Sequence, residues 1–194
     1  MRFALSLIAY PIAVLAASSS KERQSGLDGP FTASVRSPNI INTAVNASGG
    51  KFYINKPTKT YCPSGVNGLD CSEFNGSKTV FVPGYDNRLG FDVTVPGGQQ
   101  VYIAPDGSLS FTQAHSAYIP PGSTVTGFSR EQGVGPENSY LRITDRQWVI
   151  CPVSNGQPRE RIYQIFAYIH SDENCFDTEI KTHDSGSSKV WQYI

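Results

Sequence analysis

The sequence has little charge, few histidines and no long apolar run beyond its first residues. Only 16% of its 194 residues are charged, with 16 acidic and 16 basic side chains, and there are 3 histidines. Its longest basic block is Arg159-Glu160-Arg161, so the cationic surface that neutralises phosphates is missing and no nucleic-acid partner is expected. After residue 17 no stretch approaches the ~20 apolar residues that a membrane-spanning helix needs, so no membrane span is expected.

The first residues have the three regions of a secretory signal peptide. Arg2 follows the initiator methionine, an apolar run extends from Phe3 to Leu15, and small residues follow it. The sequence therefore predicts a signal peptide over residues 1–17, a flexible polar leader over 18–30 and a single β domain over 31–194. It also predicts that the protein is secreted and extracellular.

Helix signals are poor throughout, whereas strand signals recur at intervals near ten residues. In the segment 93–114, alternating runs at Val93–Val95, Gln100–Ala104 and Leu109–Gln113 are separated by Gly97-Gly98 and Pro105-Asp106-Gly107. These turns allow tight reversals, so the segment predicts a three-stranded antiparallel meander. The whole pattern predicts an all-β fold, a compact antiparallel sandwich or barrel, with a β-trefoil as the alternative.

Four cysteines, Cys62, Cys71, Cys151 and Cys175, lie in the predicted mature chain. An even number in a secreted chain predicts two disulfides, which have three possible connectivities, and local pairing of Cys62 with Cys71 and of Cys151 with Cys175 is favoured. A zinc site would need shorter paired spacings with histidines nearby, so no metal site is expected.

Two sequons, Asn46-Ala-Ser48 and Asn75-Gly-Ser77, follow the pattern for N-glycosylation. In an exported chain each predicts a surface loop that carries a glycan.

Catalytic patterns are missing. The sequence has no Gly-x-Ser-x-Gly nucleophile elbow, and its acidic residues fall mainly in turns or in the group around Cys175. No cofactor motif is present either. The protein is therefore predicted not to be an enzyme and to hold no cofactor.

Aromatic side chains are the most suggestive binding groups, because sugar rings stack on them. Tyrosines or tryptophan on or beside loops are Tyr61, Tyr85, Tyr118, Tyr140 and Trp148. The predicted saccharide contacts among these are Tyr85, Tyr118 and Trp148. Asn87, Gln99 and Gln113 are predicted to supply hydrogen bonds.

The stretch GGQQVYIAPDGSLSFTQAHSAYIPPGS, followed by GFS, CPVSNG, YQIFA and the ending WQYI, resembles a fungal family. It is similar to the secreted IgE-binding-type proteins of filamentous ascomycetes, which are related more distantly to the phialide cell-wall proteins of the PhiA type. The resemblance covers about residues 31–194 and is best over 96–122. It implies a small extracellular or cell-wall protein without established catalytic activity, and it supplies no catalytic residues.

Three hypotheses follow for the function. The first is a non-enzymatic protein of the fungal cell wall or extracellular space with a structural, developmental or host-contact role. The second is a lectin-like module that binds cell-wall polysaccharide through loop aromatics. The third is a secreted effector that acts on a host protein.

Overall fold

A computed structural model describes residues 29–37, 40–135, 138–157, 160–168 and 175–194. The predicted signal peptide (1–17) and nearly all of the predicted leader (18–30) lie outside the described residues. The strands are Phe31–Ser37 (β1), Ile40–Ala44 (β2), Asn46–Ser48 (β3), Lys51–Ile54 (β4), Thr60–Tyr61 (β5), Phe81–Pro83 (β6), Leu89–Phe91 (β7), Gln100–Ile103 (β8), Leu109–Phe111 (β9), Phe128–Gln132 (β10), Ser139–Ile143 (β11), Gln147–Pro152 (β12), Tyr163–Tyr168 (β13), Phe176–Asp184 (β14) and Gln192–Tyr193 (β15).

All strand pairs are antiparallel, and most strands belong to one continuous sheet. Its order is β10-β11-β14-β12-β13-β4-β9-β8-β7-β6-β1-β2, with β3 added to β4, while β5 and β15 form a separate pair. An additional ladder pairs β1 with β14, which lie far apart in this order. The sheet therefore folds over, and the molecule is compact and sandwich-like. The all-β, antiparallel prediction is confirmed. Within the described residues the strand order shows no threefold repeat of the kind that a β-trefoil has.

The predicted meander is present as β7, β8 and β9, but its first strand is shorter than expected. Gly97 and Gly98 adopt positive φ between β7 and β8, and Gly107 does so between β8 and β9. β7 begins at Leu89 and ends at Phe91, whereas the strand was expected to continue through residues 93–95. The reason is tertiary, because the N–H groups of Thr94 and Val95 donate to carbonyls of the C-terminal segment.

The core between the sheet layers is rich in phenylalanine. The Phe52 ring lies 5.5 Å from the rings of Phe81, Phe91 and Phe111, measured between centroids. The ring of Tyr193 lies 4.3 Å from that of Phe91. These side chains are buried or nearly so, and their burial provides the main driving force for folding.

Both disulfides have the predicted local connectivity. Cys62 is bonded to Cys71 and Cys151 to Cys175. The first bridge closes the loop 62–71, and the 3₁₀ helix Cys71–Glu73 begins at its second cysteine. In the described part of the chain no helix is long and apolar enough to cross a membrane.

The last residues, 188–194, are called here the C-terminal clasp: they accept hydrogen bonds from residues 94 and 95, and β15 within them pairs with β5. The carboxamide of Gln99 holds it at two points: its Oε1 accepts from the Tyr193 N–H (2.8 Å) and its Nε2 donates to the Tyr193 carbonyl (3.0 Å). The Gly49 N–H donates to the Ile194 carbonyl. The clasp therefore joins segments that are far apart in sequence.

Candidate functional site

Neighbouring strands β8 and β9 present polar and aromatic side chains on the outer face of the sheet. In β8, Val101 and Ile103 belong to the core, so the alternation of the strand directs Gln100 and Tyr102 outward. In β9, Leu109 and Phe111 are core residues, and the side chains between and beside them carry hydroxyl groups.

Residues 113–122 follow β9 and border this outer face, which leaves a cleft of about 590 Å³. We call it the Tyr118 cleft. Its polar and aromatic lining residues include Lys51, Tyr102, Asp106, Thr112, Gln113 and Tyr118. The ring of Tyr118 stands at the rim and is 70% exposed.

The bordering loop is held by short-range hydrogen bonds. The Ser116 N–H donates to the Gln113 carbonyl (3.2 Å), and the Tyr118 N–H donates to Ser116 Oγ (3.2 Å). His115 adopts a φ of 60°, which turns the chain between these bonds. A second cavity of about 340 Å³ shares Thr112 and Ser116 with the cleft and extends it toward the β7–β8 turn.

An ion pair lies in the lining of the cleft. Lys51 Nζ lies 2.7 Å from Ser108 Oγ and 3.4 Å from Asp106 Oδ2. The Ser108 hydroxyl donates to Asp106 Oδ1 at 2.6 Å. Burial would raise the pKa of Asp106, but the hydrogen bonds from Ser108 and the charge of Lys51 outweigh it and lower that pKa, so the carboxylate is ionised and paired.

Tyr102 lies inside the cleft as a neutral phenol. Partial burial raises the pKa of Tyr102, and the nearby Asp106 and Tyr118 raise it further. A protonated tyrosine combines an apolar ring with a hydroxyl that both donates and accepts hydrogen bonds. The cleft thus offers two such rings beside amide and hydroxyl groups, which suits the binding of a polar, ring-containing ligand.

The structure brings two of the predicted saccharide contacts together and separates two others. Tyr118 and Gln113 both line the cleft. Tyr85 and Asn87 lie on the β6–β7 turn instead, where the Tyr85 side chain is 93% exposed, and neither lines the cleft.

The structure corrects the prediction that Trp148 contacts a saccharide. Its position beside a loop predicted a surface contact, but the side chain is 2% exposed, and its indole N–H donates to the Leu141 carbonyl at 2.7 Å. The alternation of β12 places Trp148 in the core together with Ile150, so it offers no ring to a ligand.

The structure also corrects the prediction for Gln99. It was predicted to hydrogen-bond a saccharide, yet it is buried and its carboxamide is used by the clasp and by the Thr112 carbonyl, which accepts from Nε2 at 2.8 Å. Tyr102, Lys51 and Asp106 were not predicted. The side-chain alternation of β8, which directs Tyr102 outward, could have identified this residue. The pairing of Lys51 with Asp106, by contrast, depends on the contact between β4 and β9.

A separate cavity of about 410 Å³ contains a serine–histidine hydrogen bond. Ser34 Oγ lies 2.8 Å from His183 Nε2, and burial, with the charges of Lys181 and Arg130, lowers the pKa of His183. A serine triad also needs a carboxylate on the imidazole, and no residue of the described ranges supplies one. The bond joins a side chain of β1 to a side chain of β14.

The described residues contain no group of three or more His, Cys, Asp or Glu side chains that could hold a metal ion.

Comparison with known proteins identifies the chain. A family model described as "PhiA-like secreted protein" matches residues 31–194. The chain is also 35% identical over 166 residues, or 80% of each chain, to an uncharacterized secreted protein of Arthroderma benhamiae. No solved structure matches. The protein is secreted, and the chain belongs to the family of PhiA-like secreted proteins.

Proposed function

We propose that this PhiA-like protein has a non-enzymatic, structural role in the fungal cell wall, where it binds wall polysaccharide through the Tyr118 cleft. Membership of a secreted family supports an extracellular role. The composition of the cleft supports binding, because its lining combines two tyrosine rings with hydroxyl and amide groups. These are the groups that a sugar ring, with an apolar face and a polar edge, requires.

The observation that carries the proposal is the position of Tyr118. Its ring is largely exposed at the rim of a polar cleft, rather than filling the core. An exposed aromatic ring has a hydration cost that a stacked ligand would relieve. Gln113, on the same wall, is exposed and placed to hydrogen-bond the hydroxyl groups of the ligand.

Replacement of Tyr118 tests this proposal. We expect Tyr118→Ala to weaken retention on insoluble glucan, chitin or mannan by roughly three- to tenfold, because one aromatic stacking contact is worth about 0.5–1.5 kcal/mol. Tyr85→Ala is the matched control, since it removes a comparably exposed tyrosine that lies outside the cleft. Pull-down isotherms measure both. Absence of wild-type retention on all three polysaccharides would contradict polysaccharide binding.

We also propose that Asn75 carries an N-glycan and that Asn46 is the poorer acceptor. Asn75 and Ser77 are exposed. At the other sequon, Asn46 Oδ1 accepts from the Thr58 hydroxyl (2.9 Å), Asn46 Nδ2 donates to the Ala44 carbonyl (3.3 Å), and Ser48 is buried. In protein secreted from a fungal host, Asn75→Gln should remove a glycan mass seen by intact mass spectrometry, and Asn46→Gln should leave the mass pattern unchanged. The reverse result would contradict this assignment.

The narrower resemblance to IgE-binding-type proteins stays a prediction of the sequence, as does an effector role on a host protein. The polysaccharide assay separates these alternatives, since an effector needs no affinity for wall glycans.

A further inference from the structure

A second aromatic surface lies next to the Tyr118 cleft. In β13, Ile165 and Ala167 belong to the core, so Phe166 and Tyr168 project from the outer face of the sheet. Their rings stack with centroids 5.4 Å apart and an interplanar angle of 12°. Both side chains are partly exposed, so the pair presents aromatic surface to solvent.

The stacked pair is connected directly to the Lys51–Asp106 ion pair of the cleft. Ser108, which bonds both Lys51 and Asp106, forms an isolated antiparallel bridge with Phe166. The Tyr168 hydroxyl donates to the Asp106 carbonyl at 3.1 Å. No strand separates Ser108 from β13 at this point, and Tyr102 on β8 pairs with Ser110, two residues beyond Ser108. Phe166 and Tyr102 are therefore separated by two strand steps, about 10 Å across the sheet, and by two residues, about 7 Å, along the strands.

The residues that line the Tyr118 cleft carry no net charge. Lys51 and Asp106 are the charged residues among those that line the cleft, and they form an ion pair. An anionic polysaccharide would have to break this pair to gain a cation, whereas a neutral chain can hydrogen-bond it intact. The charge balance therefore favours an uncharged ligand.

We propose that the Tyr118 cleft and the Phe166–Tyr168 pair form one extended site, which binds several consecutive units of a neutral polysaccharide chain rather than a single terminal sugar. This inference rests on the proposed function, since it extends the same site. Tyr102 and Tyr118 contact one part of the chain, the Lys51–Asp106 pair hydrogen-bonds the hydroxyl groups in the middle, and Phe166 with Tyr168 contacts the next part.

Chain-length dependence of binding tests the extended site on the unmodified protein. In calorimetric titrations, we expect a glucan hexasaccharide to bind about tenfold more tightly than the corresponding disaccharide, because only the longer ligand reaches both aromatic sites. An oligogalacturonate of the same length, which is anionic, should bind more weakly than the neutral hexasaccharide.

Substitutions at Phe166 test whether this residue causes the tighter binding of the longer oligosaccharide. Phe166→Leu keeps an apolar side chain but removes the flat ring, so it should weaken hexasaccharide binding roughly three- to tenfold and leave disaccharide binding unchanged. Phe166→Tyr keeps the ring and should retain both affinities. Thermal unfolding of each variant establishes that the sheet is intact.

The outcomes separate the extended site from the function on which it rests. Equal affinity for both oligosaccharides, with retention on the polymer, would overturn the extended site and leave polysaccharide binding in place. Tighter binding of the oligogalacturonate would overturn the assignment to a neutral chain. If neither oligosaccharides nor polymers bind, both proposals fail.

Discussion

Tyr193→Ala is expected to destabilise the protein by about 3–5 kcal/mol, the range for removing a large aromatic side chain from a core. The side chain is 1% exposed and its ring packs on Phe91. Its hydroxyl accepts from the Val80 N–H (3.0 Å) and donates to the Lys78 carbonyl (2.8 Å), so the substitution also leaves two backbone groups unpaired. Urea unfolding followed by intrinsic fluorescence measures the loss.

Tyr193→Phe separates the hydroxyl from the ring. Burial raises the pKa of Tyr193 from its ordinary value of 10.0 to about 12, although the bonds to Val80 and Ser188 oppose the shift. Because the folded pKa exceeds the unfolded one, this contribution to stability is complete below pH 10 and is lost as the pH rises toward 12. The loss amounts to roughly 2–3 kcal/mol.

The phenylalanine variant should lack that part of the alkaline destabilisation, while other tyrosines and lysines titrate equally in both proteins. Unfolding free energies of wild type and Tyr193→Phe across this pH range provide the comparison. Parallel curves would show that the Tyr193 hydroxyl titrates in the folded protein as it does in the unfolded chain.

Gly76→Ala is expected to be the second large destabilisation, at about 3 kcal/mol, the upper part of the usual range for overpacking. A Cβ on Gly76 would collide with the carbonyl of Ser188 and would lie 2.9 Å from the carbonyl oxygen of Lys189. The obstructing atoms belong to backbone, so no rotamer change relieves the overlap. The Gly76 N–H donates to that Lys189 carbonyl at 2.9 Å, which holds the two segments together.

Gly186→Ala is the matched control for this prediction. Gly186 lies near the clasp in sequence, has no atoms within 4 Å of an added Cβ, and has no positive φ. Its substitution should change stability by less than about 0.5 kcal/mol, as is usual at open surface positions. Equal melting temperatures for the two alanine variants would mean that the clasp shifts freely away from Gly76.

Features that depend on near neighbours along the chain could be predicted from the residues alone. Alternation along β4 and β8 fixed which side chains face the core, because successive side chains of a strand point to opposite faces. Positive φ at Gly97, Gly98 and Gly107 fixed the turns of the meander. The sequence left three disulfide connectivities open and favoured the local one, which the structure confirms with bridges between cysteines 9 and 24 residues apart.

Features that depend on distant segments follow only from the folded arrangement of the chain. Residues 93–95 pair with the clasp instead of extending β7, and Gln99 binds Tyr193, which is 94 residues away. Trp148, expected at the surface beside a loop, is buried with its indole N–H bonded to the carbonyl of Leu141 in β11. The Tyr118 cleft likewise needs β4 against β9 to bring Lys51 to Asp106. Strand order is set by which long-range pairings bury the most apolar surface, and no local pattern encodes that choice.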